Sequence, residues 1–150
     1  MKVVTSGTQL AQRVLVDAGF IIALYDPTDT WHLAAKHFLR SFKGQLLSVE
    51  PVLTEACYFL HTPDKAMLLD QVAQGWLQLT ALDAQAFARM AALVRKYADH
   101  PPDMADVALV WLAETTGVNS IITVDVNDFS TYRIHGKSKF NLLPWQQAVS

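Results

Sequence analysis

The chain has 150 residues, 51% of them apolar and 17% charged, with a formal net charge of -2. That length suits one substantial core rather than two, and the slight negative charge excludes a molecule that draws in nucleic acid by its overall field. The single cysteine, Cys57, excludes an intramolecular disulfide and a multi-cysteine zinc site. There is no signal-peptide pattern and no apolar run of spanning length, so the expected compartment is the cytoplasm.

Residues 1–12 are polar or weakly apolar and read as an N-terminal extension. Val14–Asp17 reads as a buried first strand ending on a carboxylate, followed by a buried helix from Ala18 to Tyr25 that Asp26-Pro27 stops. Thr30 is the expected cap of a second helix carrying Trp31, Ala34, Ala35, Phe38 and Leu39, and Gly44 separates it from a second strand, 46–49. Pro51 opens a third helix bearing Thr54 and Glu55, with Cys57 as a small buried hydrophobe in its apolar run.

Thr62-Pro63-Asp64 marks a break before another helix reaching about Ala73, and a strand is expected over 77–82. Asp83 caps an amphipathic helix with Phe87, Met90, Ala91, Val94 and Tyr97 on one side. After His100-Pro101-Pro102-Asp103 a helix runs from Met104 to Thr115 and stops at Gly117. A fourth strand, 121–124, leads into the acidic loop 125–129, and 140–143 reads as a last short strand. Apolar strands alternating with helices predict an α/β domain, a parallel sheet covered on both faces. No repeat or linker divides it, and 146–150 read as a tail.

Asp17 and Asp125 close the two most apolar strands, Glu55 follows the second, and Asp106 opens a helix beside Asp103. In a parallel sheet the strand C-termini share one edge, so these carboxylates converge without being neighbours in sequence. Converging carboxylates repel one another unless a cation neutralises them, and oxygen donors favour Mg²⁺ or Mn²⁺. Helix capping explains Asp103 and Asp106 singly, but it does not explain the set. Thr123 stands where its hydroxyl can bond a carboxylate or a phosphate, though a β-branched residue near a strand end is ordinary. No phosphate-binding glycine loop, dinucleotide fingerprint or nucleophile elbow is present, and the histidines are scattered. A local basic cluster, Arg133, His135, Lys137 and Lys139, is the candidate polyanion contact.

The segment Val14-Leu15-Val16-Asp17-Ala18-Gly19-Phe20-Ile21-Ile22-Ala23-Leu24 resembles the opening of the PIN-domain ribonucleases, above all the VapC-type toxins of toxin–antitoxin pairs. Val52-Leu53-Thr54-Glu55-Ala56, Asp103-Met104-Ala105-Asp106-Val107 and Ile121-Ile122-Thr123-Val124-Asp125-Val126-Asn127-Asp128-Phe129 resemble their later acidic motifs in order and spacing. Ala18 stands where many members carry Ser or Thr, and Phe20 where Pro is common.

The resemblance covers residues 13–145 and implies a three-layer PIN-like α/β/α fold around a mainly parallel sheet of four to five strands. It implies that Asp17, Glu55, Asp106 and Asp125 are catalytic and hold Mg²⁺ or Mn²⁺, with Asp103 and Asp128 as accessory metal-site acids. RNA would be hydrolysed to 5′-phosphate and 3′-hydroxyl ends, with Arg133, Lys137 and Lys139 contacting phosphate. Tyr132-Arg133 resembles the branch that cuts structured ribosomal RNA; tRNA is the other candidate substrate. The partners implied are a cognate antitoxin, whose C-terminal segment covers the groove, and a second copy in a homodimer. The helices of 30–42 and 54–60 are the candidate surfaces. The competing reading is a PIN-like module that binds RNA or protein without cutting.

Overall fold

The computed structural model describes residues 12–147; most of the expected extension and the last three residues of the tail lie outside them. Strand β1 (Gln12–Val16) places Val14, Leu15 and Val16 in full burial, so consecutive side chains on both sides of the strand are covered. Helix α1 (Ala18–Tyr25) follows at once, and α2 (His32–Ser41) packs against it. The chain continues through β2 (Gly44–Ser48), α3 (Glu50–Phe59), α4 (Thr62–Ala73) and β3 (Leu77–Leu79). It then runs through α5 (Ala84–Lys96), α6 (Met104–Thr116), β4 (Ser120–Ile122) and α7 (Val126–Thr131). A two-stranded ribbon, β5 (Arg133–Ile134) with β6 (Ser138–Lys139), precedes β7 (Asn141–Leu142) and a 3₁₀ turn at Trp145–Gln147.

The central sheet has five strands in the order β3-β2-β1-β4-β7, and every pairing is parallel. Chain order therefore runs outward one way from β1 through β2 and β3, then reverses to the other side through β4 and β7. The reversal opens a crevice at the carboxyl ends of β1 and β4, where a doubly wound sheet binds its ligands. Helix α6 runs through the core, with every residue from Ala105 to Ala113 buried. A helix apolar all round belongs in the middle of a domain.

Several expectations need correcting. The second strand begins two residues earlier, at Gly44; the third ends at Leu79, and the fourth ends at Ile122. Asp125 thus stands three residues beyond its strand, and the acidic segment after it is helical rather than a loop. Thr30 does not cap α2: Trp31 is the cap residue and makes no side-chain cap bond, while Asp29 Oδ1 accepts the Trp31 amide at 2.8 Å. An Asx turn has displaced the cap.

Helix α5 is capped by Asp83 as expected, through the Ala86 amide at 2.9 Å, but the face it buries is Ala86, Met90 and Leu93. Phe87 and Val94 are exposed. The buried stripe is rotated one position from the expected one, with Ala86 and Leu93 inward in place of Phe87 and Val94. Cys57 is half-buried at the edge of the core. The ribbon was not foreseen; its turn holds His135 and Gly136 at φ 53° and 70°, with the Lys137 amide donating to Ile134 O at 3.0 Å. Two positive φ values in succession make a tight hairpin turn whose twist matches its strands.

Candidate functional site

Asp17 leaves the end of β1 as the cap residue of α1 and is only 2% exposed. Its Oδ1 accepts the Ala18 amide at 2.8 Å, and its Oδ2 accepts the Thr123 hydroxyl at 2.8 Å. Thr123 also accepts the Asp125 amide at 2.9 Å, so one hydroxyl fixes two acidic residues across the crevice. Trp145 anchors the same turn from below, its indole N–H donating to Thr123 O at 3.1 Å while its ring packs edge-on against Phe20. A β-carbon on Gly19 would collide with the Val124 side chain. The chain needs glycine there to bring α1 close beneath the turn that carries Asp125.

Asp106 enters from the first turn of α6 and is 5% exposed. Its amide is capped by Asp103 Oδ1 at 2.8 Å, and its own Oδ2 accepts the Tyr132 hydroxyl at 2.7 Å. One carboxylate oxygen from each of Asp17, Asp106 and Asp125 lies within 4.8 Å of the others. Among the described residues no lysine or arginine pairs with any of the three.

The protonation behaviour follows from burial and like charge. Burial pushes Asp17 up from 3.8 to about 7; the bonds from Thr123 and Ala18 pull against that, and the charges of Asp125 and Glu55 add to it. Burial likewise pushes Asp106 up to about 8, against the Tyr132 hydrogen bond and with help from Asp103 and Asp17. Asp125 is raised chiefly by burial and then by Asp128, and Glu55 by burial and then by Asp103 and Asp125. A metal-free site at neutral pH therefore strains to hold its full charge.

The remaining acids surround this centre without joining the triad. Glu55 is half-buried on α3 and, with Asp103, lines a cavity of about 830 Å³ beside it. Phe59, Leu82, Phe87 and Met104 supply much of that cavity's apolar wall. Asp103 spends one oxygen as the α6 cap, and Asp128 contacts His100 Nε2 at 3.3 Å.

The basic cluster divides. Arg133 is half-buried, and its guanidinium donates to the carbonyls of Ser130, Thr131 and Tyr132, closing the end of α7. Lys137 and Lys139 are exposed on the ribbon. The His135 amide at the ribbon's turn donates to Glu114 Oε2, eight residues past Asp106 on α6. At 1.5 Å per residue the turn stands about 12 Å along that helix from Asp106. Sequence reasoning missed Tyr132 as a partner of Asp106, and His100 and Trp145 as parts of the surroundings. Tyr132 and Asp106 are 26 residues apart, and no local pattern announces such a bond.

The sequence matches the family model described as PIN domain over residues 14–134. It is 27% identical over 135 residues to Ribonuclease VapC26 of Mycobacterium tuberculosis (strain ATCC 25618 / H37Rv), covering 87% of this chain and 100% of that protein. The fold is similar to that of M. tuberculosis VapC20, a sarcin-ricin loop cleaving toxin, with a TM-score of 0.70 at 15% identity, covering 77% of this chain and 93% of that one. It is also similar to a toxin–antitoxin complex from Klebsiella pneumoniae, with a TM-score of 0.62 at 17% identity, covering 88% of this chain and 97% of that chain.

Proposed function

This chain belongs to the PIN-domain family, and from that premise we propose that it is a metal-dependent endoribonuclease, the toxin of a toxin–antitoxin pair, cutting structured ribosomal RNA or tRNA. The observation that carries this reading is the triad of Asp17, Asp106 and Asp125, one oxygen of each gathered within 4.8 Å and, among the described residues, no lysine or arginine paired with it. Two buried carboxylates that near neutrality resist ionisation fit a divalent cation well, and an all-oxygen donor set fits Mg²⁺ or Mn²⁺ better than zinc. The three aspartates would hold it, with Glu55, Asp103 and Asp128 acting through water.

When bound, the ion supplies the positive charge that activates a water and stabilises the leaving 3′ oxygen. The chain's own residues do the rest. Thr123 keeps the Asp17 carboxylate aimed, Glu55 at the mouth orients the attacking water, and exposed Lys137 and Lys139 hold phosphates farther along the strand. The expected products carry 5′-phosphate and 3′-hydroxyl ends.

The VapC26 likeness supports the ribonuclease reading, and the Klebsiella complex supports an antitoxin partner. The apolar cavity walled by Phe59, Phe87 and Met104 and rimmed by Glu50, Glu55 and Asp103 suits an apolar antitoxin segment carrying a basic side chain. Trp31 just before α2, Leu33 on α2 and Tyr58 on α3 are exposed and suit a dimer face. No helix among the described residues is long and apolar enough to cross a membrane.

The test is cleavage of intact ribosomal RNA and total tRNA by partner-free protein with Mg²⁺, Mn²⁺ or chelator, beside Asp17→Asn and Asp106→Asn proteins. Discrete metal-dependent cuts lost in both variants support the reading. Folded, metal-loaded wild-type protein that binds these RNAs without cutting them would favour the binding-module reading.

A further inference from the structure

We infer that Tyr132 is a positioning residue for the metal centre: its phenol holds Asp106 by one oxygen so that the carboxylate is presented in a fixed orientation. The inference rests on the metal-site reading above. Tyr132 is 2% exposed, and its hydroxyl donates to Asp106 Oδ2 at 2.7 Å inside the protein. The phenol engages one of the two Asp106 oxygens, so the carboxylate can be held by one oxygen and bind a cation through the other.

The phenol cannot swing. Its ring is wedged edge-on between Tyr97 and Phe129, at centroid separations of 5.1 and 5.2 Å. Its backbone is fixed at the end of α7, where its amide donates to Asp128 O and the Arg133 guanidinium gathers the last carbonyls of the helix. Asp106 thus receives for its side chain what Thr123 gives Asp17: one neutral hydroxyl donor on one oxygen. A neutral donor orients a carboxylate without competing for the site as a lysine would. Partners of this kind typically tune metal affinity 10–100-fold.

The test is Mn²⁺ titration of purified protein without RNA, by calorimetry or by the loss of free-ion paramagnetic signal. Tyr132→Phe keeps the ring and removes only the hydroxyl. Its Mn²⁺ affinity is expected to fall at least about tenfold. Tyr97→Phe removes the neighbouring hydroxyl, which accepts the Arg133 amide rather than touching a carboxylate, and is expected to bind within twofold of wild type.

Wild-type affinity retained by Tyr132→Phe overturns the inference while leaving the metal site standing. An equal loss in Tyr97→Phe also overturns it, because the cause would then be loosening of the aromatic cluster. Wild-type protein that binds no Mn²⁺ removes the metal-site reading and this inference with it. Tyr132→Phe protein that does not fold with or without Mn²⁺ makes the hydroxyl a folding determinant and likewise overturns the positioning role.

Discussion

Asp17→Asn should make the metal-free protein more stable at pH 8, although it removes one carboxylate of the proposed metal site and leaves Thr123 and Ala18 with a poorer partner. The folded-state pKa is raised from 3.8 to about 7, so between those values the native state binds more protons than the unfolded chain. Stability therefore falls as pH rises across that window, and the loss is complete only above about 7. At ~1.36 kcal/mol per unit, the two units from pH 5 to 7 remove roughly 2–3 kcal/mol from the wild type. That corresponds to about 5–10 °C in Tm for a chain of this size.

Asparagine does not titrate, so the variant should escape this slope, and the Tm gap between variant and wild type should widen towards pH 8. Saturating Mn²⁺ should reverse the order by stabilising the wild type, since a ligand at a hundred times its Kd adds about 2.7 kcal/mol. The assay is thermal melting at pH 5, 6, 7 and 8 with chelator and with Mn²⁺. A gap that does not change with pH, or an Asn variant stabilised by Mn²⁺ as strongly as the wild type, would refute the reasoning.

Two further outcomes follow from the geometry. Thr123→Val removes the hydroxyl that joins Asp17 to the Asp125 amide, and Mn²⁺ affinity should drop about tenfold while Thr123→Ser restores it; equal affinities in a titration would sink this account. Lys137→Glu with Lys139→Glu should weaken RNA binding and flatten its salt dependence without changing Tm. Arg133→Ala should instead lower Tm by a few degrees, since its guanidinium closes α7. Filter binding across a salt series, with melting run beside it, separates the two.

The sequence by itself determined the class of fold and the order of its parts. Continuous apolar strands such as Val14–Val16 have no polar face to show to water, so helices had to cover both sides of a parallel sheet. Strand-end acids then had to share one edge, which made Asp17, Glu55 and Asp125, with Asp106 at a helix start, legible as a converging set of four. Local patterns could not set element ends or small rotations. Asp29 accepts the Trp31 amide where Thr30 was the expected cap, and Phe87 faces the cavity rather than the core.

Only the tertiary structure decided where each acid stands. The reversal of strand order beside β1 set Asp17 and Asp125 across one crevice, while Glu55, Asp103 and Asp128 stayed around it. It also set the half-buried Arg133 guanidinium on the last carbonyls of α7 and brought Tyr132 onto Asp106, 26 residues away. Periodicity reports which way a side chain faces along its own element. Which partner it meets depends on how the elements pack, and that is settled only when the whole core closes.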